Sequence, residues 1–531
     1  MAQLGKREIL RLNRLRLKVE KKTGLEPLFL SERKNSVAVQ GLNESFFVEY
    51  ISQLRPHLRF EPATRCFYQY DPKCGLFQPI QTPLLQEAIL GDVLRFQKSY
   101  EQENAVLAGQ VEKFRNLQFA LKVVGRLQGR CHWQGFWNTW EGGHYVHLLN
   151  GVAVLDQSRE SWSLQKFHPK FNSRRQVRLA YDPEADCPTL KAELLKRIPD
   201  SDQRELFQKC FGQFVLGKNL AHKILVIKGP AATGKSSICN LAVMVVGPEN
   251  TAEFDTRQGG RFTLAQFADC SLLKSFDVTA DFLDNGNADH LKRLTGGDLI
   301  GSEVKFSNTQ ASFAGDKNLL ISTNFDLVLR EGRDERAMAR RLVVVDWCGG
   351  EPEKRITDWP GFILGQEGSG ILNYFLEGVL KVLTDLREGH PDGFKNCSRN
   401  AELVESLLAR SNSVRRFIEA SVEPADGESI TSEGMLEAYN RFCRTEGLPA
   451  EANKTASEKF NRLVSERYQA PKCKITLKDE VLGVSERLWG WKNIRLHTPS
   501  NQQTFTKSSQ TTPISAISEP FRKEPELLCN P

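Results

Sequence analysis

The chain has 531 residues, 40% of them hydrophobic and 26% charged, with a formal charge of +7; this is the profile of a water-soluble globular protein with room for three or four domains. No apolar run approaches membrane-spanning length, and the amino terminus lacks the apolar core of a secretion signal. The 12 cysteines are scattered without a Cys-x-x-Cys pair, which argues against a zinc ribbon or a disulfide scaffold and for a reduced, cytoplasmic protein.

Between Met1 and Lys34 ten Lys or Arg stand against four Glu. Arg7, Arg11, Arg14, Lys18 and Lys22 fall at helical spacing, while Leu12, Leu15 and Val19 line another face. Residues 1–35 therefore read as a basic helix: an arm for nucleic-acid phosphates, or a solvated helix that packs its leucines on a neighbour. Residues 36–198 read as an α/β domain. Strands are expected at Arg65–Tyr70 and Gly75–Ile80, helices at Leu84–Ser99 and Ala105–Leu127, and an alternating segment at Asn150–Asp156. His144 and His147 have a metal-like spacing but no third ligand nearby, so they read as structural.

A helix from Ser201 to Leu216 leads into the apolar run Ile224–Lys228. Then come Gly229, Pro230, Ala231, Ala232, Thr233, Gly234, Lys235, Ser236 and Ser237, opening a helix to Val246. Strand, glycine-bounded loop and Lys-Ser at a helix start form the pattern of a phosphate-binding P-loop. Loop N–H groups and the helix terminus would cradle phosphate. Lys235 would reach the β- and γ-phosphates, and Ser236 would ligate Mg²⁺. The pattern implies a nucleoside triphosphate, taken as ATP with Mg²⁺.

Further buried strands are expected at Thr251–Phe254, Leu272–Asp277, Leu319–Thr323 and Leu342–Asp346, giving an open parallel sheet. Asp277 ends one and is the candidate Mg²⁺-holding acid. Asn324 follows another, as a γ-phosphate sensor or merely a turn former. Arg340 and Arg341 precede the last: one of them stabilises charge at a neighbouring subunit's γ-phosphate, or the pair simply caps the strand.

From about Ser411 to Leu496 three helices (Val414–Ala420, Ser432–Thr445, Thr455–Tyr468) precede two strand-like runs (Cys473–Leu477, Arg487–Arg495). That is the make-up of a winged helix, which binds DNA or serves as a protein-interaction module. Lys454, Lys459 and Arg462 on its third helix are the candidate duplex contacts. Residues 497–531 are rich in Ser, Thr, Gln and Pro and read as a disordered tail.

The order P-loop, Asp277-ended strand, Lys292-Arg293-Leu294-Thr295-Gly296-Gly297-Asp298, Ser322-Thr323-Asn324 and Arg340-Arg341-Leu342 resembles superfamily-3 helicases. More narrowly it is similar to the phage and plasmid primase–helicase class and its poxvirus relatives. Phe67-Tyr68-Gln69-Tyr70-Asp71, Asn150–Asp156 and Tyr181–Pro188 resemble the domain preceding the motor in that class, so the likeness spans roughly Arg65 to Leu496.

The resemblance implies an α/β fold: an AAA+ P-loop core at 199–410, a pre-motor α/β domain at 36–198 and a winged helix at 411–496. It implies a hexameric ring moving 3′ to 5′ on single-stranded or forked DNA, in the cytoplasm of a bacterium or a virus-infected host. A hairpin between acid and sensor enters the channel in such helicases and maps here near Lys305 and Phe306, a cation for phosphate and an aromatic for a base; a surface Lys beside a core Phe is the plain alternative.

Two departures stand out. The acid strand ends in Asp where the class more often has Glu. The only Asp-x-Asp, Asp200–Asp202, sits in a polar turn suited to capping the following helix, so the expectation is a helicase whose primers come from a separate primase or polymerase. Against it stand a non-unwinding AAA+ origin-binding initiator or loader, and a small-molecule kinase.

Overall fold

The computed structural model describes residues 5–33, 36–62, 64–135, 137–254, 264–283, 287–303, 310–327, 335–351, 356–390, 392–395, 397–411, 413–446, 448, 450–478 and 485–497. The chain forms two compact units, dividing after residue 412. No helix among the described residues is long and apolar enough to cross a membrane.

The first unit opens with a helical layer. Helices Lys6–Thr23, Glu44–Leu54, Thr82–Tyr100 and Leu117–Arg130 share one apolar cluster that includes Leu12, Val19, Phe46, Phe47, Phe96 and Phe119. The basic amino-terminal helix is thus not a separate arm. Its leucine face packs inward, and Arg7, Arg11, Arg14, Lys18 and Lys22 remain exposed. The helix expected across Ala105–Leu127 is two helices, Ala105–Val111 and Leu117–Arg130, because the Asn116 side chain accepts from the Phe119 N–H at 3.0 Å and restarts the helix.

Two three-stranded antiparallel sheets follow, Leu58–Glu61 with Cys66–Asp71 and Leu76–Ile80, and Tyr145–Leu148 with Gly151–Asp156 and Ser161–Gln165. His147 lies in the second. Its Nε2 donates to the Cys74 carbonyl at 2.8 Å, and its ring stacks on Phe167. Burial pulls its pKa down to about 4, so it is a neutral structural histidine.

Five parallel strands then form the central sheet, in spatial order Thr251–Glu253, Leu272–Val278, Asn318–Thr323, Ile224–Lys228, Leu342–Asp346. Every residue of Asn318–Thr323 is buried, as in a strand covered on both faces. Helices Ser201–Leu216, Lys235–Val246 and Trp359–Arg387 contribute to one core with these strands. Asp200 caps the first of them, accepting from the Gln203 N–H at 2.7 Å. The buried pair Lys209–Asp385, 2.6 Å apart, ties that helix to Trp359–Arg387. Between the second and third strands of the spatial order the chain makes an antiparallel hairpin, Leu299–Glu303 with Gln310–Ala314.

The second unit has helices Ser413–Ser421, Ser432–Glu446 and Asn453–Tyr468. Its antiparallel sheet runs in the order Val422–Thr431, Ser485–Leu496, Cys473–Lys478. The first of these strands escaped the sequence reading because it alternates weakly and carries Pro424 and Gly427. Phe417, Tyr439, Phe460 and Trp491 make its core.

Candidate functional site

The loop 229–234 leaves the carboxyl end of Ile224–Lys228 and enters the helix Lys235–Val246. Its curl needs left-handed backbone at Ala232 (φ +62°) and Gly234 (φ +87°); glycine takes that conformation at no steric cost. The Gly229 N–H donates to the Thr323 carbonyl at 3.2 Å. A Cβ at Gly229 would lie 2.2 Å from the Trp347 carbonyl oxygen. Trp347 also donates its Nε1–H to the Thr233 carbonyl at 2.9 Å, and the Thr233 hydroxyl donates to the Pro230 carbonyl at 2.8 Å. The loop is clamped from both flanking strands.

Lys235 is almost fully buried, at 4% exposure. Its ammonium donates to the Gly229 carbonyl at 2.8 Å and the Pro230 carbonyl at 2.5 Å. Burial lowers its pKa, and the Asp277 carboxylate opposes that shift. Ala231, Ala232 and Ser236 are exposed, and Ser237 is half-buried. The cation is thus folded back onto two carbonyls of its own loop.

Asp277 sits on a bulge. Ser275 pairs with Ile321 and Val278 with Thr323, so three steps on one strand match two on the other. The extra residue takes φ +51° and donates its N–H to the Ser322 hydroxyl at 3.1 Å. Such a bulge re-aims a side chain, and Asp277 is exposed at the same sheet edge as the loop. Asn324 follows the end of Asn318–Thr323 and is exposed too. The carboxyl ends of three adjacent strands thus bring Lys235, Asp277 and Asn324 to one edge. Ser236 and Asp277 offer exposed hard oxygen ligands beside a buried cation, a donor set that suits Mg²⁺.

Arg340 and Arg341 are not brought there. They precede Leu342, which pairs with Ile224 at the start of the loop strand. Five residues at about 3.3 Å each put them roughly 16 Å from the loop edge. Lys223, buried, donates to the Arg340 carbonyl at 2.6 Å, and Arg341 donates to the Ala337 carbonyl at 2.6 Å. Burial, then Arg340, depresses the pKa of Arg341, with Asp298 opposing. Arg340 is exposed.

Lys305 and Phe306 lie outside the described residues, between the two strands of the hairpin. On the third helix of the second unit Lys454 and Arg462 are exposed, while Lys459 is half-buried and ion-paired with Glu451. At 3.6 residues per turn the three side chains span an arc of roughly 140° on the helix, with Arg462 between Lys454 and Lys459.

Sequence reasoning missed Trp347, Ser322 and Lys223, which hold the loop, the acid and the arginine pair. Trp347 directly follows a strand read correctly, but nothing local reveals that its carbonyl covers Gly229.

No protein-family model matches the chain, and no curated protein matches it. Among solved structures it is similar to the apo C-terminal region of NrS-1, residues 305–718, at 12% identity and a TM-score of 0.43, covering 83% of this chain and 97% of that one. An A-form apo structure of the same region aligns at 11% identity and a TM-score of 0.43, covering 84% and 98%. At those scores neither likeness decides anything about this chain.

Proposed function

We propose that the chain is a superfamily-3 DNA helicase, an AAA+ motor that hydrolyses ATP with Mg²⁺ for replication of a phage, plasmid or other mobile element. The observation that carries the reading is the loop edge: Lys235, Asp277 and Asn324 at the carboxyl ends of adjacent parallel strands, where open α/β sheets bind ligands. Loop N–H groups and the Lys235–Val246 helix terminus would hold phosphate, and Lys235 would exchange two carbonyls for phosphate oxygens. Ser236 and Asp277 would hold Mg²⁺, which when bound neutralises charge on the phosphates. Asn324 would orient water or sense the γ-phosphate.

Arg340 and Arg341, at the far edge, fit a finger given to the next subunit of a ring better than one acting within the chain. The second unit, with three helices and a three-stranded sheet, is compatible with a winged helix in which Lys454 and Arg462 meet phosphate. The hairpin preceding Asn318–Thr323 supports a DNA-gripping element.

The test is ATP-driven displacement on forked duplexes with a 3′ or a 5′ loading strand. Displacement from the 3′ tail supports the motor; hydrolysis without displacement from either tail favours an initiator or loader.

A further inference from the structure

Far from the loop, the first unit contains a cavity of about 970 Å³ between the two small antiparallel sheets and the foot of the hairpin. Four cations line it: Arg174, Arg175, Lys218 and Lys317. Four carboxylates do too, but three are committed. Asp269 pairs with Arg174 at 3.0 Å, Glu61 accepts from Trp137 Nε1 at 2.6 Å and lies 3.8 Å from Arg174, and Glu249 pairs with Arg178 at 2.6 Å. Arg175 and Lys317 face Asp316 first and share Asp269 with Arg174.

Arg175 and Lys317 are poorly compensated, and Lys218 stands half-exposed on the same wall. The Nε of Arg175 is buried without a hydrogen-bond partner, and its Nη1 reaches the Gly217 carbonyl only at 3.5 Å. Lys317, 2% exposed, has the Ala268 carbonyl at 3.0 Å. Burial brings its pKa down to about 8, and Arg175 pushes in the same direction while Asp316 opposes. Burial also lowers the pKa of His144, and Lys218 adds to it. The walls hold unmet hydrogen-bonding capacity as well. Trp133 Nε1 is buried without a partner. His147, 4% exposed, spends Nε2 on Cys74 and leaves Nδ1 as an unpartnered acceptor.

Buried like charges that destabilise one another are relieved by an anion, and a phosphodiester brings oxygen acceptors together with base N–H donors. The volume lies at the upper end of small-ligand sites, room for more than one nucleotide. Phe313 and Lys317 extend the wall to the end of the hairpin. We propose that this cavity binds single-stranded nucleic acid, with Arg175, Lys218 and Lys317 taking backbone phosphate. This extends the helicase reading, yet it can be tested without ATP.

The experiment is fluorescence anisotropy of a labelled oligo-dT with the full chain, nucleotide-free, across a salt series. Lys218→Glu, at a half-exposed position, is expected to weaken binding about tenfold and lower the log–log salt slope by about one. Lys218→Gln should fall between it and the wild type. Unchanged affinity and slope in Lys218→Glu, with an unchanged melting curve, overturn the proposal. So does displacement of the oligonucleotide by free ATP in Lys235→Ala protein that disappears on adding Lys218→Glu, because the cavity would then be a mononucleotide site. An absence of ATPase activity in the wild type would instead count against the helicase reading and leave the anisotropy result standing.

Discussion

Gly229 and Trp347 touch backbone to backbone. A methyl group at residue 229 would meet the Trp347 carbonyl oxygen at 2.2 Å, well inside van der Waals contact, and the same tryptophan bonds the loop at Thr233. Gly229→Ala should therefore displace the loop and cost about 1–3 kcal/mol. Urea denaturation and ATP titration should show lower stability together with lost nucleotide binding. Wild-type affinity in a stably folded variant would show that the clamp does not shape the loop.

Lys235→Ala should lower kcat at least about 100-fold, the scale for loss of a preorganised cation or donor at developing charge. Far-UV circular dichroism should stay unchanged, since the lost bonds run only to the neighbouring loop carbonyls. Retention of wild-type turnover would remove the nucleotide assignment.

Asp277→Asn keeps the size of the side chain and removes its charge. Nucleotide binding in EDTA should persist while the Mg²⁺-dependent gain in affinity is lost. Titration of a fluorescent ATP analogue with and without Mg²⁺ reads both, and an intact Mg²⁺ gain would assign the metal elsewhere.

The arginine pair lies one strand length from the loop of its own chain. Arg340→Ala or Arg341→Ala should lower kcat about 10³-fold, and mixing either with Lys235→Ala should restore part of the activity, because one mixed interface joins an intact loop to an intact arginine. Recovery at no mixing ratio would rule out a finger supplied between subunits.

His147 yields a pH signature. Its folded pKa of about 4 lies below the ordinary histidine value of about 6.5, so the unfolded chain binds the proton more readily. Its contribution is complete above pH 6.5 and is lost as pH falls towards 4, up to about 3 kcal/mol. The stability difference between wild type and His147→Gln, followed by urea unfolding, should change in favour of the variant over that window. A constant difference would place the titration elsewhere.

The parallel sheet was legible because three of its strands are built on short, uninterrupted apolar runs, Ile224–Ile227, Leu319–Ile321 and Leu342–Val345, and the loop because its chemistry is written within fourteen consecutive residues, Ile224–Ser237. What stayed hidden was non-local or masked by periodicity. The apolar spacing of Ala105–Leu127 continues through Asn116, so the cap that splits the helix was overlooked. The bulge at Asp277 arises from pairing with Asn318–Thr323, some forty residues onward. Lys459 read as a surface cation, yet Glu451 folds back on it. The distance between arginine pair and loop follows from strand order, which no single segment encodes.

The fold-back of Lys235 has a bearing on what can occupy the cradle. An ammonium already holding two carbonyls is no bare charge waiting for any passing anion; a guest must outcompete internal acceptors that are always present at full effective concentration. A lone phosphate offers few oxygens in exchange, whereas a polyphosphate also engages the neighbouring N–H groups. On the proposed nucleotide reading, the fold-back sets a threshold that a longer phosphate chain would cross more readily than a single phosphate.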